Sequence, residues 1–248
     1  MHAPQLSVVV PAYNEAAGIG VTLEALRAEL ERHGLRHEIL VVDNASSDGT
    51  AAAAEAAGAR VLRNPVNLGK GGSMRRGMLE ATAALRLHCD ADCGPSLPAL
   101  GRLLERIEHA DVVVGSRLAD GAAVGRRQPV RRRIAGRMFV GLCRLALAEP
   151  TRDLFCGFKL WRAEAAVAAF AESRLDGWVF DAETLALARA MGFRIAEVGI
   201  PWEDRAGSRL SMPRVIVPVT RDLLAARRRV RAVSAHGPRF EPQVAHKG

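Results

Sequence analysis

Aromatic residues, cysteines and long apolar runs are all scarce in this 248-residue sequence, and each scarcity excludes a class of protein. Aromatic residues make up 4% of the chain and form no base-stacking or groove-reading motif, so we expect no nucleic-acid partner. No segment approaches the roughly 20 apolar residues that span a bilayer. The early stretch "LSVVVP" is short and β-branched and ends in proline, unlike a secretory signal. We therefore expect a cytoplasmic protein.

Positive charge is abundant, with a formal net charge of +8. Such an excess favours an anionic partner, such as a phosphate or an anionic membrane surface. The arginines cluster at 126–133 and 227–231. The alternative for such runs is an ordinary solvated face.

The cysteines lie at Cys89, Cys93, Cys143 and Cys156 and form no pair of C-x-x-C motifs. Without a secretory signal we expect no disulfide framework. Cys89 and Cys93 flank the acidic segment "DAD", but zinc requires about four nitrogen or sulfur ligands, and no second Cys/His pair has finger spacing. A redox role requires a perturbed thiolate, and basic residues do not flank these cysteines on both sides. We expect neither cysteine to ligate a metal.

Strand and helix patterns alternate in the first half of the chain, which predicts an α/β fold with helices on both faces of the sheet. An apolar stripe at 4-3-4 spacing predicts a helix from Ile19 to Leu30, ended by Gly34. A second stripe predicts that a helix over 133–148 has one apolar face, formed by Ile134, Met138, Leu142 and Leu145. The predicted strands are 6–10, 38–43, 59–63, 85–89, 111–115 and 193–202.

Two polar clusters follow apolar strands directly. Asp43 and Asn44 end one strand, and Asp90 and Asp92 follow another. Ligands of open α/β sheets bind at the carboxyl ends of strands, so a shared site is expected. The chain contains neither G-x-G-x-x-G nor G-x-x-x-x-G-K-[ST], which disfavours hydride transfer and ordinary NTP hydrolysis.

The pair Asp90 and Asp92 suits a hard divalent cation. Mg²⁺ or Mn²⁺ binds one or two protein carboxylates and completes its shell with water and substrate phosphates. The alternative is that these aspartates cap a loop, because D-x-D arises often by chance. The upstream polar cluster and the downstream arginines favour the cation.

A series of motifs now carries a family resemblance. In order, these are "VVVPAYNE", "LVVDNASSDGT", "NPVNLGKGGSMRRGM", "DAD", "VVGSR", "RDLFCGFKLW", "GWVFDAETL" and "EVGIPWEDRAGSRL". From about residue 6 to residue 230, the chain resembles family 2 glycosyltransferases of the GT-A fold, a Rossmann-like, mostly parallel sheet. The resemblance is strongest to polyprenyl-phosphate (dolichyl-phosphate) glucose synthases, followed by the mannose synthases.

The resemblance implies an inverting transfer of glucose from UDP-glucose to a polyprenyl phosphate, with Mg²⁺ or Mn²⁺ as cofactor. It implies that 1–118 bind the nucleotide sugar and 119–232 the acceptor, and we expect 233–248 to be a disordered tail. Asp90 and Asp92 would hold the metal and the diphosphate. The implied donor ligands are Pro11, Tyr13, Glu15, Asp43, Asn44, Lys70, Asp90 and Arg209. The candidate catalytic residues are Asp92 and Arg117, together with Asp153 and Asp181 as the best remaining carboxylates.

A phosphate acceptor needs cationic positioning rather than a general base, because its second pKa of about 6 leaves it nucleophilic at neutral pH. The resemblance assigns Arg117 and Arg131 to the acceptor phosphate, and arginine's planar fork suits phosphate oxygens. Asp153 and Asp181 are candidates for sugar contacts or for base work. The alternative for both is that they anchor arginines.

Several departures from the family pattern leave alternatives open. Asn44 stands where relatives often have a second aspartate, and Cys93 and Gly94 follow the metal motif where mannose synthases often have glutamine. The donor could therefore be GDP-mannose or a UDP-amino sugar, and the protein could be an inactive nucleotide-sugar binder. A soluble phosphorylated or secondary-metabolite acceptor is a further alternative.

The membrane anchor of eukaryotic relatives is not expected here. A lipid acceptor would instead be reached by peripheral contact with the inner face of the membrane, through the helix over 133–148 and the basic C-terminal helix. The sequence leaves the oligomeric state open.

Overall fold

The computed structural model of the protein describes residues 3–125, 130–203 and 212–237. Its strands are β1 Leu6–Ala12, β2 His37–Asp43, β3 Arg60–Arg63, β4 Leu85–Cys89, β5 Val112–Ser116, β6 Ala123–Val124, β7 Phe158–Arg162, β8 Ile195–Gly199 and β9 Pro201–Trp202. Its α-helices are α1 Ile19–Arg32, α2 Thr50–Ala56, α3 Gly69–Glu80, α4 Leu100–Arg106, α5 Val130–Leu147, α6 Ala163–Glu172, α7 Phe180–Ala190 and α8 Met212–Ala235.

Seven strands form one sheet in the order β3-β2-β1-β4-β7-β5-β8, and β6 pairs with β9 separately. All neighbours in the large sheet are parallel except β7, which runs antiparallel to both β4 and β5. The predicted α/β class with a mostly parallel sheet is confirmed.

Helices cover both faces of the sheet, as predicted. One core packs α3, α6, α7 and part of α5 and α8 against side chains such as Val9, Val112 and Trp161. The other packs α1 and α4 against side chains such as Val8 and Leu87. The predicted helix stripe of α1 is buried, and Gly34 follows the helix with a φ of 61°.

Strand β7 was not predicted, although its residues lie within a motif of the sequence analysis. It is fully enclosed between β4 and β5 and is buried from Phe158 to Trp161. Its second residue is Lys159, opposite His88 of β4 and Val114 of β5. The lysine prevented prediction of this strand from the sequence, because buried strands are normally continuous apolar runs.

The apolar stripe predicted for the helix over 133–148 lies on α5, but it is not the face through which α5 packs. Met138, Leu142 and Leu145 are exposed, and the helix packs through the neighbouring stripe of Phe139, Cys143 and Leu147. The side chain of Ile134 lies outside the described residues. Both stripes are apolar and have helical spacing, so periodicity alone does not select the face that packs.

The C-terminal boundary also differs from the expected one, since α8 continues to Ala235, into the segment expected to be a tail. Residues from 238 onwards lie outside the described part. Within the ranges 3–125, 130–203 and 212–237, none of the helices has the length and apolar character that crossing a membrane requires.

Helix α3 lies against β1 and β2 at Gly77. A Cβ added there would lie 2.3 Å from Val9 Cγ1 and 2.8 Å from Val42 Cγ2. We expect Gly77→Ala to lower the free energy of unfolding by about 1–3 kcal/mol, as overpacking of a core does. Gly20→Ala in α1 is the matched control, because among the described residues a Cβ there meets no atom within 4 Å. Urea unfolding followed by circular dichroism measures both, and a Gly77→Ala protein as stable as wild type would contradict the close packing of α3.

Candidate active site

The strand order brings the two predicted polar clusters to one edge of the sheet. β1 lies between β2 and β4 and is parallel to both. Ala12 pairs with Asp43, and Val9 pairs with His88, just before Asp90. Asp43 and Asp90 therefore leave the sheet in the same direction, on either side of the end of β1.

Asp90 is held from three elements. Its Oδ2 accepts a hydrogen bond from Lys70 Nζ of α3 at 2.7 Å, and its Oδ1 lies 3.3 Å from His88 Nε2 of β4. Its backbone N–H donates to Gly157 O at 2.9 Å, immediately before β7. A Cβ at position 157 would lie 1.9 Å from Asp90 Oδ2, so the carboxylate occupies the space that any other residue's side chain would need.

The sequence analysis did not identify Gly157 as a site residue. A glycine directly before a run such as "FKLW" is the available signal, because an isolated glycine near a strand marks close approach of another group. The approaching group here is a carboxylate 67 positions earlier in the chain, and spacing does not reveal such a contact.

The electrostatics of this cluster keep Asp90 ionised. Burial opposes ionisation, but the Lys70 ammonium outweighs it, with help from His88, and the pKa of Asp90 lies well below its usual range. Burial also opposes the charge on Lys70, yet Asp90 and Asp181 raise the pKa of the ammonium above its usual value. Burial lowers the pKa of His88, which favours a neutral imidazole at neutral pH.

Asp181 lies beneath this cluster and is fully buried. It forms an ion pair with Lys159 of β7, whose Nζ also donates to Cys156 O at 2.6 Å. Lys70 Nζ lies 3.9 Å from Asp181 Oδ2, and His88 Nδ1 lies 3.7 Å from Asp181 Oδ1. Asp181 therefore anchors a buried cation. This is the alternative role named in the sequence analysis, except that the cation is a lysine and not an arginine.

Asp153 has the anchoring role as well. Arg117 donates to it from Nε at 2.7 Å, from Nη2 at 2.6 Å and from its backbone N–H at 2.9 Å. The guanidinium lies over the Trp202 ring, 5.1 Å from its centroid. Burial opposes the charge on Arg117, but Asp153 more than compensates and raises the pKa of the guanidinium. Arg117 is thus a fixed, partly exposed cation.

The side-chain amide of Asn44 is hydrogen-bonded to neighbouring residues of the protein. Its Oδ1 accepts hydrogen bonds from Asn64 Nδ2 at 3.0 Å and Leu68 N at 2.8 Å, and its Nδ2 donates to Asn67 Oδ1 at 2.8 Å. Asn44 therefore ties the end of β2 to the loop before α3, and its role as a donor ligand stays a prediction. Its neighbour Asp43 is buried and accepts from Ser46 N at 3.3 Å.

The loop after β1 supplies the other implied donor ligands. Pro11 is the penultimate residue of β1, and the Tyr13 side chain is half exposed beyond the strand end. Glu15 N donates to Thr50 Oγ1 at 2.8 Å, which joins this loop to the start of α2. Asn14 and Ala45 have positive φ values of 54° and 59°, at the ends of adjacent strands. Left-handed non-glycine residues are strained and concentrate at functional sites.

The glycine-rich first turn of α3 places Lys70. A Cβ at Gly69 would lie 2.4 Å from Asp176 O, and Gly69 has a φ of +74°. A Cβ at Gly71 would lie 2.4 Å from Leu175 O. These glycines let the helix start approach the segment before α7, which puts Lys70 Nζ 5.3 Å from the centroid of the Trp178 ring.

The cysteines correct an expectation, because Cys89 and Cys93 form a disulfide. The chain turns back after β4, so their Cα atoms lie 6.1 Å apart and the bond encloses Asp90 and Asp92. The expected cytoplasmic location argues against a disulfide framework in general, but it says nothing about two cysteines that a local turn brings together. Burial raises the pKa of both remaining thiols, Cys143 and Cys156, to about 12, so neither is a nucleophile at neutral pH.

The donor atoms at this edge fit a hard divalent cation. Asp90 is ionised, and the exposed Asp92 is near enough to add to the negative field at Lys70. The part of the chain that the structure describes contains no cluster of three or more His, Cys, Asp or Glu side chains able to hold a metal. Two carboxylates suit Mg²⁺ or Mn²⁺ that completes its shell with phosphates and water. Arg209 lies outside the described residues, and of Arg131 only the backbone is described.

Comparison with known proteins identifies a family and several relatives of this chain. Residues 7–168 match glycosyl transferase family 2. The chain is 33% identical over 225 residues to a dolichyl-phosphate beta-glucosyltransferase of Trichomonas vaginalis, covering 84% of this chain and 66% of that protein. It is 31% identical over 231 residues to glycosyltransferase AglD of Haloferax volcanii, covering 89% of this chain and 36% of that protein. The chain thus spans less than two thirds of each of these two relatives.

The fold matches solved glycosyltransferases. The structure of glucosyl-3-phosphoglycerate synthase from Mycobacterium tuberculosis, in complex with Mn²⁺, UDP-glucose and phosphoglyceric acid, superposes with a TM-score of 0.63 at 21% identity. The superposition covers 92% of this chain and 80% of that one. At this identity the similarity supports the GT-A-like fold alone.

Proposed function

The chain belongs to glycosyl transferase family 2, and from that premise we propose that it transfers glucose from UDP-glucose to a polyprenyl phosphate, with inversion at the sugar carbon. The similarity to dolichyl-phosphate beta-glucosyltransferases over most of the chain carries the proposal. The cluster around Asp90, at the edge of the sheet where open α/β folds bind ligands, supports it.

In this proposal the donor lies across the ends of β2, β1 and β4. Asp43 and the loop containing Pro11, Tyr13 and Glu15 face the nucleoside, on the β2 side. Lys70, on the β4 side, faces the diphosphate. Asp90 and Asp92 would hold Mg²⁺ or Mn²⁺, which, when bound, would neutralise charge on the leaving UDP. Lys70 and the start of α3 add positive charge on the same side of the pocket.

The ion pairs of Asp153 and Asp181 are the basis for the proposed acceptor. A hydroxyl acceptor needs a general base within hydrogen-bond reach, whereas a phosphate monoester arrives ionised. Asp153 is committed to Arg117, and Asp181 is committed to Lys159. This commitment of both candidate bases suits a phosphate acceptor. Arg117, anchored on Asp153 with its charge secured, is proposed to orient that phosphate, and Arg131 is proposed as a second contact.

A helical surface of the acceptor half is proposed to contact the membrane. We call it the α5–α8 face: on α5 the exposed side chains are Met138, Leu142, Leu145, Arg137 and Arg144, and on α8 they are Leu224, Arg227, Arg228 and Arg231. The helices pack together through buried side chains that include Cys143 and Val230. Apolar side chains among arginines, on a chain with net charge +8, suit the surface of an anionic bilayer.

A donor and acceptor panel tests the proposed reaction. Purified protein is incubated with UDP-glucose, GDP-mannose or UDP-N-acetylglucosamine, each with a short polyprenyl phosphate or with phosphoglycerate, and nucleotide release is measured. We expect release from UDP-glucose that requires the polyprenyl phosphate and Mn²⁺ or Mg²⁺, and that EDTA abolishes. Release with GDP-mannose alone would overturn the donor assignment, and release with phosphoglycerate alone would overturn the acceptor assignment.

A charge placed on the α5–α8 face tests the membrane contact. Leu145 is 82% exposed, so Leu145→Glu leaves the core intact while adding an apolar-to-anionic change at the surface. We expect it to reduce co-sedimentation with vesicles of phosphatidylglycerol and phosphatidylcholine several-fold. Val21→Glu is the matched control, because Val21 is 71% exposed on α1, and its binding should equal that of wild type. Equal binding of Leu145→Glu and wild type would refute this face as the contact.

A further inference from the structure

Both oxygens of the Asp90 carboxylate are already engaged by nitrogen atoms. Lys70 Nζ holds Oδ2 at 2.7 Å, and His88 Nε2 lies 3.3 Å from Oδ1. A divalent cation that binds Asp90 must therefore displace one of these partners or share an oxygen with it. The ammonium carries a full positive charge that repels the incoming cation.

Of the two partners, Lys70 is the one able to move. The His88 side chain is 1% exposed and stacks on Phe180, with ring centroids 5.8 Å apart. The Lys70 side chain is 19% exposed, and its ammonium is carried by a four-carbon stem with several rotatable bonds. The imidazole is fixed by its packing, whereas the flexible stem of Lys70 lets the ammonium move between Asp90 and Asp181.

A second position for the ammonium exists beside the first. Asp181 Oδ2 lies 3.9 Å from Lys70 Nζ, is buried, and has no hydrogen-bond partner among the described residues. Buried carboxylate oxygens are normally satisfied, so an orphaned one needs an explanation. A shift of about 1 Å would bring Nζ to hydrogen-bond distance of this oxygen.

We propose that Lys70 is a positioning residue that holds Asp90 and yields it to a divalent cation by moving onto Asp181 Oδ2. The proposal rests on the metal dependence within the proposed function. Lys70 neutralises the buried carboxylates before the cation arrives. After the shift it still balances Asp181 and remains beside the diphosphate site.

The consequence is a competition that is measurable without any sugar nucleotide. In this proposal Mn²⁺ displaces Lys70 from Asp90, so the charge-assisted hydrogen bond of Lys70 opposes Mn²⁺ binding. Removing the ammonium should raise the affinity for Mn²⁺ on the order of tenfold, the factor that corresponds to one such hydrogen bond.

The experiment is a titration of the full-length protein with Mn²⁺ alone, in which electron paramagnetic resonance reports free Mn²⁺. Lys70→Met is compared with Arg75→Met as matched control. Arg75 lies on the same helix and pairs with Asp176 at 2.6 Å, so its replacement removes the same charge without touching Asp90. We expect tighter binding for Lys70→Met and wild-type affinity for Arg75→Met.

A double-mutant cycle tests the second position. Asp181→Asn removes the charge that receives Lys70, so it should weaken Mn²⁺ binding in the wild-type background and lose most of that effect in the Lys70→Met background. Circular dichroism checks that these variants fold. If Asp181→Asn does not fold, the comparison of Lys70→Met with Arg75→Met decides by itself.

The outcomes separate this inference from the function on which it rests. Equal Mn²⁺ affinity in wild type and Lys70→Met, with measurable binding in both, would overturn the competition and leave the metal-dependent reaction standing. Equal tightening in Lys70→Met and Arg75→Met would reduce the effect to general charge and overturn the role of Asp90. Absence of Mn²⁺ binding in every variant would overturn the competition together with the proposed metal dependence.

Discussion

The ion pair between Asp90 and Lys70 is the interaction on which the rest of the site depends. It joins the end of β4 to the start of α3 at 2.7 Å, above a fully buried pair between Asp181 of α7 and Lys159 of β7. Buried charges are tolerated only when they are paired, so removing Lys159 or Asp181 would leave a buried charge without its partner. The two pairs therefore hold four elements in one arrangement and keep the Asp90 carboxylate ionised at the edge of the sheet.

The sheet topology explains why this arrangement is possible. β7 runs antiparallel between β4 and β5, so the chain enters it at the edge where β4 ends. That reversal puts Gly157 under the Asp90 carboxylate and Lys159 opposite His88. A parallel strand in the same place would enter the sheet at the opposite edge. Strand β7 and the glycine before it thus place Gly157 and Lys159 beneath the Asp90 carboxylate.

Much of the donor side could be predicted from the sequence, because it depends on local patterns. Apolar runs located β1 and β2, and the alternating segment "LRLHC" located β4. The position of Asp43 and Asp90 after these strands placed both at one edge. The anchoring of Asp153 and Asp181 could not be decided, because their cationic partners lie 36 and 22 residues away in the chain. The disulfide could not be predicted, because it depends on how tightly the chain turns after β4. The packed face of α5 could not be predicted either, because the helix has two apolar stripes with helical spacing.

The position of the Asp90 carboxylate on Gly157 is the central claim, and the kinetics of Gly157→Ala test it most directly. Gly94→Ala is the matched control, because among the described residues a Cβ at Gly94 meets no atom within 4 Å. With both variants shown to be folded by circular dichroism, displacement of the carboxylate by about 1 Å should lower kcat for UDP-glucose on the order of 100-fold in Gly157→Ala. Gly94→Ala should retain wild-type turnover. A folded Gly157→Ala enzyme with wild-type kcat would contradict the account.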